Sequence, residues 1–332
     1  MYQEAQRKRQ MKKKSEILIT KASGEAIPFS ADKLKHSLER AGADDMQVER
    51  IVEEISSRLY EGISTKKIYR IAFNLLKENS RHLAAKYNLK RAIMELGPSG
   101  YPFEKYIGEI LRCQGYQITV GEVVQGQCVN HEIDVIAQID HQHFMIECKY
   151  HNQPGTFCDV KIPLYIQARF KDVESQWVKL PGHGTKFHQG WVVTNTRFSS
   201  DALQYGNCAG LKLLGWDYPV KGGLKDLIDT LGLYPVTCLT TLGKTEKQHL
   251  LDKKIVLCKE ICDNEQYLVQ AGVTPAGIKN VQEECRQLCQ HLIENTKQQE
   301  TNKLSRSPEG QNCKSVEKQM QPQTPRLPNE TA

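Results

Sequence analysis

The 332-residue chain has no apolar stretch approaching the roughly 20 residues that a membrane-spanning helix needs. It also has no secretory core after its basic start. Ile17-Leu18-Ile19 is short and soon meets Lys21. Together these absences predict a cytoplasmic protein with no membrane partner. A disulfide framework is missing as well: the 11 cysteines are odd in number and scattered, which suits free thiols in a reducing compartment. No charge sign dominates, since 45 Lys and Arg face 39 Asp and Glu for a net +6. Part of the excess is one run, Arg7, Lys8, Arg9, Lys12, Lys13 and Lys14, which reads as a disordered basic arm over 1–15. Such a balance permits a nucleic-acid partner without arguing for one.

What is present is ordinary for a soluble globular protein, 39% hydrophobic and 25% charged, and long enough for two or three cores. The most informative stretch is 131–150, HEIDVIAQIDHQHFMIECKY. It predicts two strands joined by a short turn. Ile133, Val135 and Ala137 alternate with Glu132, Asp134 and Ile136, and Phe144, Ile146 and Cys148 alternate with Met145, Glu147 and Lys149. Side chains two apart on a strand share a face, so Glu147 and Lys149 project together and Asp134 can converge with them from the neighbouring strand. A lone acid-x-Lys triplet is more often a surface charge pair. The neighbouring aspartate and an upstream helix bearing Glu104 turn that reading towards a metal-dependent nuclease.

Residues 16–97 predict a small α+β unit. A strand over 17–20, a tight turn at Ala22-Ser23-Gly24 and a returning strand over 26–29 precede a helix capped by Ser30 or Asp32. Three further helical patterns cover 46–60, 64–78 and 81–96, the last stopped by Gly97-Pro98. This region resembles the ATP-cone, a nucleotide-sensing domain of ribonucleotide reductases and NrdR-type repressors. The resemblance rests on Ile17-Leu18-Ile19-Thr20-Lys21-Ala22-Ser23-Gly24, Ile27-Pro28-Phe29, Asp32-Lys33-Leu34, Ile63-Ser64-Thr65, and Tyr87 with Lys90-Arg91. It implies nucleotide contacts from Lys21, Lys33, Thr65 and Arg91, with ATP or dATP bound as an effector and not hydrolysed. Where the family usually has Lys-Arg-Asp-Gly at the turn, this chain has Lys21-Ala22-Ser23-Gly24. Gly243-Lys244-Thr245 looks like the end of a phosphate-binding loop, but Cys238 stands where that loop needs glycine.

Beyond the Pro/Gly joint at 98–102, the pattern over 103–218 is α-β-β-β-α-β-α-β, a mixed sheet with helices on both faces. This region resembles the Mrr-type restriction endonucleases of the PD-(D/E)xK superfamily, on Phe103-Glu104, Leu111 with Gly115-Tyr116, Glu132-Ile133-Asp134, Ile146-Glu147-Cys148-Lys149, and Val193-Thr194-Asn195 with Phe198. It implies an active site of Glu104, Asp134, Glu147 and Lys149, with Asp134, Glu147 and Glu104 as metal ligands. Phosphodiester hydrolysis needs a hydroxide at neutral pH and a neutralised phosphate. Mg²⁺ or Mn²⁺ supplies both and prefers oxygen ligands.

Residues 224–293 predict helices over 240–251, 255–261, 265–271 and 275–292. The Ala271-Gly272-Val273-Thr274 turn is similar, faintly, to helix-hairpin-helix units. Cys258 and Cys262, like Cys285 and Cys289, are one helical turn apart, a spacing open to a metal clamp but better suited to buried helix faces. Residues 295–332, rich in Gln, Lys, Pro and Asn, read as a disordered tail. The expected protein is thus a multidomain α/β and α+β chain: a β-hairpin with helices, a mixed-sheet endonuclease-like core and a helical C-terminal region. Its expected activity is Mg²⁺-dependent cleavage of DNA, regulated by ATP or dATP, with room for a homo-oligomer. The alternatives are a non-catalytic, nucleotide-responsive DNA-binding regulator and a structure-specific resolvase of branched DNA.

Overall fold

A short antiparallel hairpin begins the described chain. Strands β1 (Leu18–Thr20) and β2 (Ala26–Pro28) pair with Ile19 opposite Ile27. The computed structural model describes residues 17–304 apart from 154, 178 and 180–186, with side chains of the last helix described to Cys289. The expected arm over 1–15 and most of the expected tail, 305–332, lie outside these residues. The hairpin turn closes through Lys21 N–H to Glu25 O at 2.9 Å, with Gly24 at φ +84°.

Helix α1 (Ala31–Arg40) starts where Ser30 Oγ accepts from Lys33 N. Asp44 and Gln47 form a reciprocal capping box on α2 (Asp45–Ser57), and Ser64 caps α3 (Thr65–Asn79). Ile19, Leu38, Ile55 and Leu76 meet in one cluster between hairpin and helices. The helix expected over 81–96 is two: α4 (Arg81–Tyr87) and α5 (Leu89–Met94). Asn88 interrupts them, at φ −81° and ψ 0°, and its buried carboxamide oxygen accepts from Tyr69 OH at 2.6 Å. A tertiary hydrogen bond thus holds the residue at a break that no glycine or proline announces.

After Gly97-Pro98 come α6 (Tyr101–Cys113), β3 (Gln117–Gln125), β4 (Asn130–Ile139) and β5 (Gln142–Lys149). They are followed by the two-residue β6 (Phe157–Cys158), α7 (Lys161–Trp177) and β7 (Phe187–Thr194). Then come the two-residue β8 (Arg197–Phe198), α8 (Ser200–Cys208) and β9 (Lys212–Leu214). The sheet order is β3-β4-β5-β7-β9, antiparallel as far as β5 and parallel beyond it. This is the expected mixed sheet. Its α6 face packs Phe103, Ile107 and Leu111 on Val135, Phe144, Ile146 and Trp191. Its α7 face packs Phe170, Val173 and Trp177 on Ile133, Ile136 and Met145.

The C-terminal region contains α9 (Leu224–Leu231), a 3₁₀ turn at Val236–Cys238, α10 (Lys244–Asp252), a 3₁₀ turn at Cys258–Glu260, α11 (Glu265–Gln270) and α12 (Pro275–Leu304). No helix covers 255–261, contrary to expectation. Leu257 instead bridges Pro235, and only the 3₁₀ turn follows. The last helix continues ten residues beyond 294, where composition predicts disorder. The chain divides into two compact units at Leu292 and Ile293, and every site below lies in the first. There the C-terminal helices share one hydrophobic cluster with α6. Tyr106 OH donates to Leu233 O at 2.7 Å, and Thr237 Oγ1 to Ala92 O at 2.7 Å. Cys258, Cys262, Cys285 and Cys289 are free and buried in that cluster, with Cys262 and Cys289 sulfurs 3.6 Å apart. Among the described residues no helix is long and apolar enough to cross a membrane.

Candidate active site

The β4–β5 ladder runs from the Ile139–Gln142 pair to the Val135–Ile146 pair and stops. Where the next rung would form, Cys148 N–H donates to Asp134 Oδ2 at 2.7 Å. Asp134 has no ladder partner on its other side either. The β3–β4 pairing steps from Val120–Val135 to Glu122–Ile133, passing over Gly121, which sits at φ +69°. That conformation is costly for a residue with a Cβ. The break corrects the expected alternation: Ile133 joins the α7 layer with Ile136, whereas Val135 and Ala137 join the α6 layer. A regular strand would have kept Ile133 and Val135 on one face.

Glu147 stands two residues from Met145, on the α7 side. Arg169 of α7 donates to Glu147 Oε2 at 2.6 Å, with both side chains nearly buried. The same guanidinium reaches Glu132 O and lies 5.5 Å from the Tyr165 ring centre. Glu104 comes from the first turn of α6. A Cβ on Gly100 would lie 2.9 Å from Glu104 Oε1, so glycine there leaves the carboxylate its place. Lys149 is exposed and lines a cavity of about 460 Å³ with Tyr150, His151 and Asn152.

The electrostatics mark these acids as one group. Burial, then Asp134, Glu132 and Glu147, push Glu104 up to about 7. Burial and then Asp134 push Glu147 up to about 7, so desolvation outweighs its Arg169 partner. Burial also raises Asp134, against the Cys148 N–H bond and Arg169. Asp134 makes both Glu147 and Glu104 harder to ionise, and Glu147 adds to the effect at Glu104, a condition that a cation relieves. The donors are hard oxygens, the set that Mg²⁺ and Mn²⁺ take. Arg169 now occupies one of them, and among the described residues no three His, Cys, Asp or Glu side chains are gathered around a common metal position. In donor chemistry the acids fit a divalent cation; in this arrangement Arg169 provides the positive charge.

Glu132 and Asn195 add to the site what the sequence reading left out. Glu132 sits two residues before Asp134 and raises both Asp134 and Glu104, and that acid-x-acid spacing was its signal. Asn195 is fully buried at the end of β7. It accepts from His151 N at 2.9 Å and donates to His151 O at 2.7 Å, pinning the segment that follows Lys149. Tyr150 OH donates to Met94 O at 2.6 Å and ties the same segment to α5.

Lys21 and Thr65 directly follow Thr20 and Ser64, which are bridged to each other. Lys21 pairs with Glu25 at 2.8 Å, and Lys33 lies exposed in the first turn of α1. Arg91 pairs with Glu95 and lines another cavity, of about 740 Å³, with Lys244 and Lys247.

The fold and its split strand pair define a restriction-endonuclease-like domain preceded by an ATP-cone. The ATP cone domain family matches residues 17–95, the restriction endonuclease family residues 97–217, and the AF1548-like C-terminal family residues 234–289. An uncharacterized protein of Archaeoglobus fulgidus is 37% identical over 183 residues, 55% of this chain and 99% of that protein. The chain belongs to the family of that archaeal protein. The crystal structure of a protein of unknown function, AF1548, is similar at 36% identity, covering 57% of this chain and 98% of that one with a TM-score of 0.48.

Proposed function

We propose that the chain is a divalent-metal-dependent DNA endonuclease, and that its ATP-cone binds ATP or dATP as an effector. The observation that supports this most is the raised proton affinity of Glu104, Asp134 and Glu147, with Asp134 at the break in the β4–β5 ladder. Asp134 and Glu147, with Glu104, would hold Mg²⁺ or Mn²⁺. When bound, such an ion lowers the pKa of water and polarises the phosphoryl group. Glu104 can orient a water through its carboxylate. Lys149 offers a compact ammonium to the negative charge that develops on the phosphoryl oxygens. Arg169 balances Glu147, and Asn195 keeps the backbone after Lys149 in place. The nucleotide would act by biasing domain arrangement or self-association, with Lys21, Lys33, Thr65 and Arg91 as its contacts.

The test is cleavage of supercoiled plasmid by the purified chain with Mg²⁺, Mn²⁺ or chelator, with and without ATP. Nicked or linear product is expected with either metal, and loss of product in Asp134→Ala and Lys149→Ala. Undiminished cutting in both variants, or no cutting by the parent with either metal, refutes the reading. One observation favours the non-catalytic regulator: Arg169 holds Glu147. A regulator would retain the same DNA without cutting it. Parallel assays on methylated and four-way-junction DNA separate a general endonuclease from a branched-DNA resolvase.

A further inference from the structure

The sequence spaces Cys258 and Cys262, like Cys285 and Cys289, as pairs on two helix faces. The structure rearranges them. No helix covers 255–261, so Cys258 lies in a 3₁₀ turn and Cys262 in the loop between that turn and α11. Cys285 and Cys289 stay on α12. The close contact that results runs between elements: the sulfurs of Cys262 and Cys289 are 3.6 Å apart. Among the described residues no three His, Cys, Asp or Glu side chains share a common metal position, so these thiols are not arranged as a metal clamp.

The four thiols are not equivalent. Cys258 and Cys285 are fully buried and serve as small apolar side chains of the core. Cys262 and Cys289 keep 5% and 3% of their surface exposed, and Cys262 directly precedes the exposed Asp263. Hydrogen bonds from Cys285 and Cys289 hold the Cys262 thiol well below its usual value, against burial and with help from Arg286. The bond to Cys262, and then burial, pushes the Cys289 thiol up. One sulfur therefore ionises readily while the sulfur in contact with it keeps its proton. Thiol oxidation needs that pairing: the thiolate attacks the oxidant and the neighbouring thiol resolves the product. Disulfide sulfurs stand about 2.05 Å apart, so closure needs a shift of roughly 1.5 Å, which rotation about the two Cα–Cβ bonds and a small loop movement supply.

We propose that Cys262 and Cys289 are a modification site, a dithiol that a peroxide converts to a disulfide tying the loop before α11 to α12. In the first step the Cys262 thiolate attacks one oxygen of hydrogen peroxide. A sulfur–oxygen bond forms, the oxygen–oxygen bond breaks, and the hydroxide that leaves takes up the proton Cys262 released. In the second step the Cys289 sulfur displaces hydroxide from that sulfenic acid, and its own proton leaves with the hydroxide as water. The two sulfurs together lose two electrons to the peroxide, and two waters form. Helix α12 is already held through Glu284, whose buried carboxylate accepts from Thr240 N at 2.8 Å and Thr241 N at 3.0 Å. The disulfide adds a covalent anchor a little more than one turn further along. In a reducing compartment such a bond is transient, formed by oxidant and removed by thiols. The site does not depend on the nuclease reading.

Peptide mapping of the full chain tests the site. Trypsin cuts after Lys254, Lys259, Lys279, Arg286 and Lys297, which puts Cys258, Cys262, Cys285 and Cys289 each on a separate peptide. The reduced chain is treated with an equimolar amount of hydrogen peroxide, its remaining thiols are alkylated, and it is digested without reductant. The expected product joins the Cys262 and Cys289 peptides and is two hydrogens lighter than their sum. It should be about tenfold more abundant than any other linked pair and should disappear with dithiothreitol. Cys258→Ser should form it as the parent does, and Cys262→Ser should lose it and leave Cys289 open to alkylation. The proposal fails if peroxide yields no such link, if Cys285 is linked in preference to Cys289, or if only the exposed Cys113, Cys128 and Cys208 are oxidised. It also fails if the reduced chain takes up Zn²⁺ that Cys262→Ser does not, which would make the thiols metal ligands. Where a variant does not fold, the map of the parent decides by itself.

Discussion

Two ion pairs of nearly equal length show how differently the two domains hold charge. At the ATP-cone hairpin, Lys21 meets Glu25 at 2.8 Å with side chains 43% and 59% exposed. In the endonuclease sheet, Arg169 meets Glu147 at 2.6 Å with side chains 10% and 17% exposed. In water the first contributes only about 0–1 kcal/mol, so Lys21 can leave its partner for a phosphate at little cost. The second is desolvated, and its carboxyl is still pushed up to about 7. Contact distance alone therefore says little about a charge. Burial decides whether it is free for a ligand or kept in a state that a cation would relieve.

Activity should separate the two regions most strongly. Lys149→Ala should lower metal-dependent cleavage on the order of a thousandfold while ATP binding stays at the parental level. Loss of both together would show that the regions do not work separately. Stability comes next. Glu147→Ala leaves the Arg169 guanidinium buried without its carboxylate and should cost about 3 kcal/mol in urea unfolding. The matching change at the hairpin, Glu25→Ala, should cost under about 1 kcal/mol. Equal losses at both positions would break the comparison. A smaller effect is expected at Lys33: its change to Ala should weaken ATP about tenfold, as for one charge-assisted contact, with the melting temperature unmoved.

The smallest effect is a pH dependence. Glu104 and Glu147 are raised from 4.5 to about 7, so between these values the folded chain holds protons that the unfolded chain has released. Their contribution to stability is complete below 4.5 and is lost as pH rises through about 7. Without metal, the melting temperature should drop by a few degrees, on that order, from pH 5 to pH 8, and by less in Glu104→Gln. Mg²⁺ should restore more at pH 8 than at pH 6. Asp172 runs the other way. Its bond from His131 holds it down to about 2, so its contribution is lost only as pH falls from 3.8 towards that value. A melting temperature that rises from pH 5 to pH 8 would show that the acids are not mutually destabilised.

Much of the fold is legible because its signals are local. Ser30 and Ser64 announce helix starts through side chains that reach backbone three residues on, and both do so here. The order of the main elements from 103 to 214 follows from strand and helix periods. Legibility failed where a partner distant in sequence intervened. Asn88 stands at the helix break and is held by Tyr69, 19 residues earlier. Residues 255–261 have a helical apolar spacing but follow the backbone at Pro235. Ile133 changes layer because Gly121, on another strand, lets the pairing skip Asp134.

The candidate site divides along the same line. The residue types, the Glu147-x-Lys149 spacing and the aspartate on the strand before them stand in the sequence, as do the ATP-cone and endonuclease patterns and their order. They are consequences of strand period and of the oxygen donors that a hard cation takes. Only the tertiary structure decided that Arg169 holds Glu147, that Glu132 joins the acids and that Asn195 pins the segment after Lys149. These depend on desolvation and on distances between segments far apart in the chain. A linear pattern records which charges a protein has, and burial determines what each of them can do.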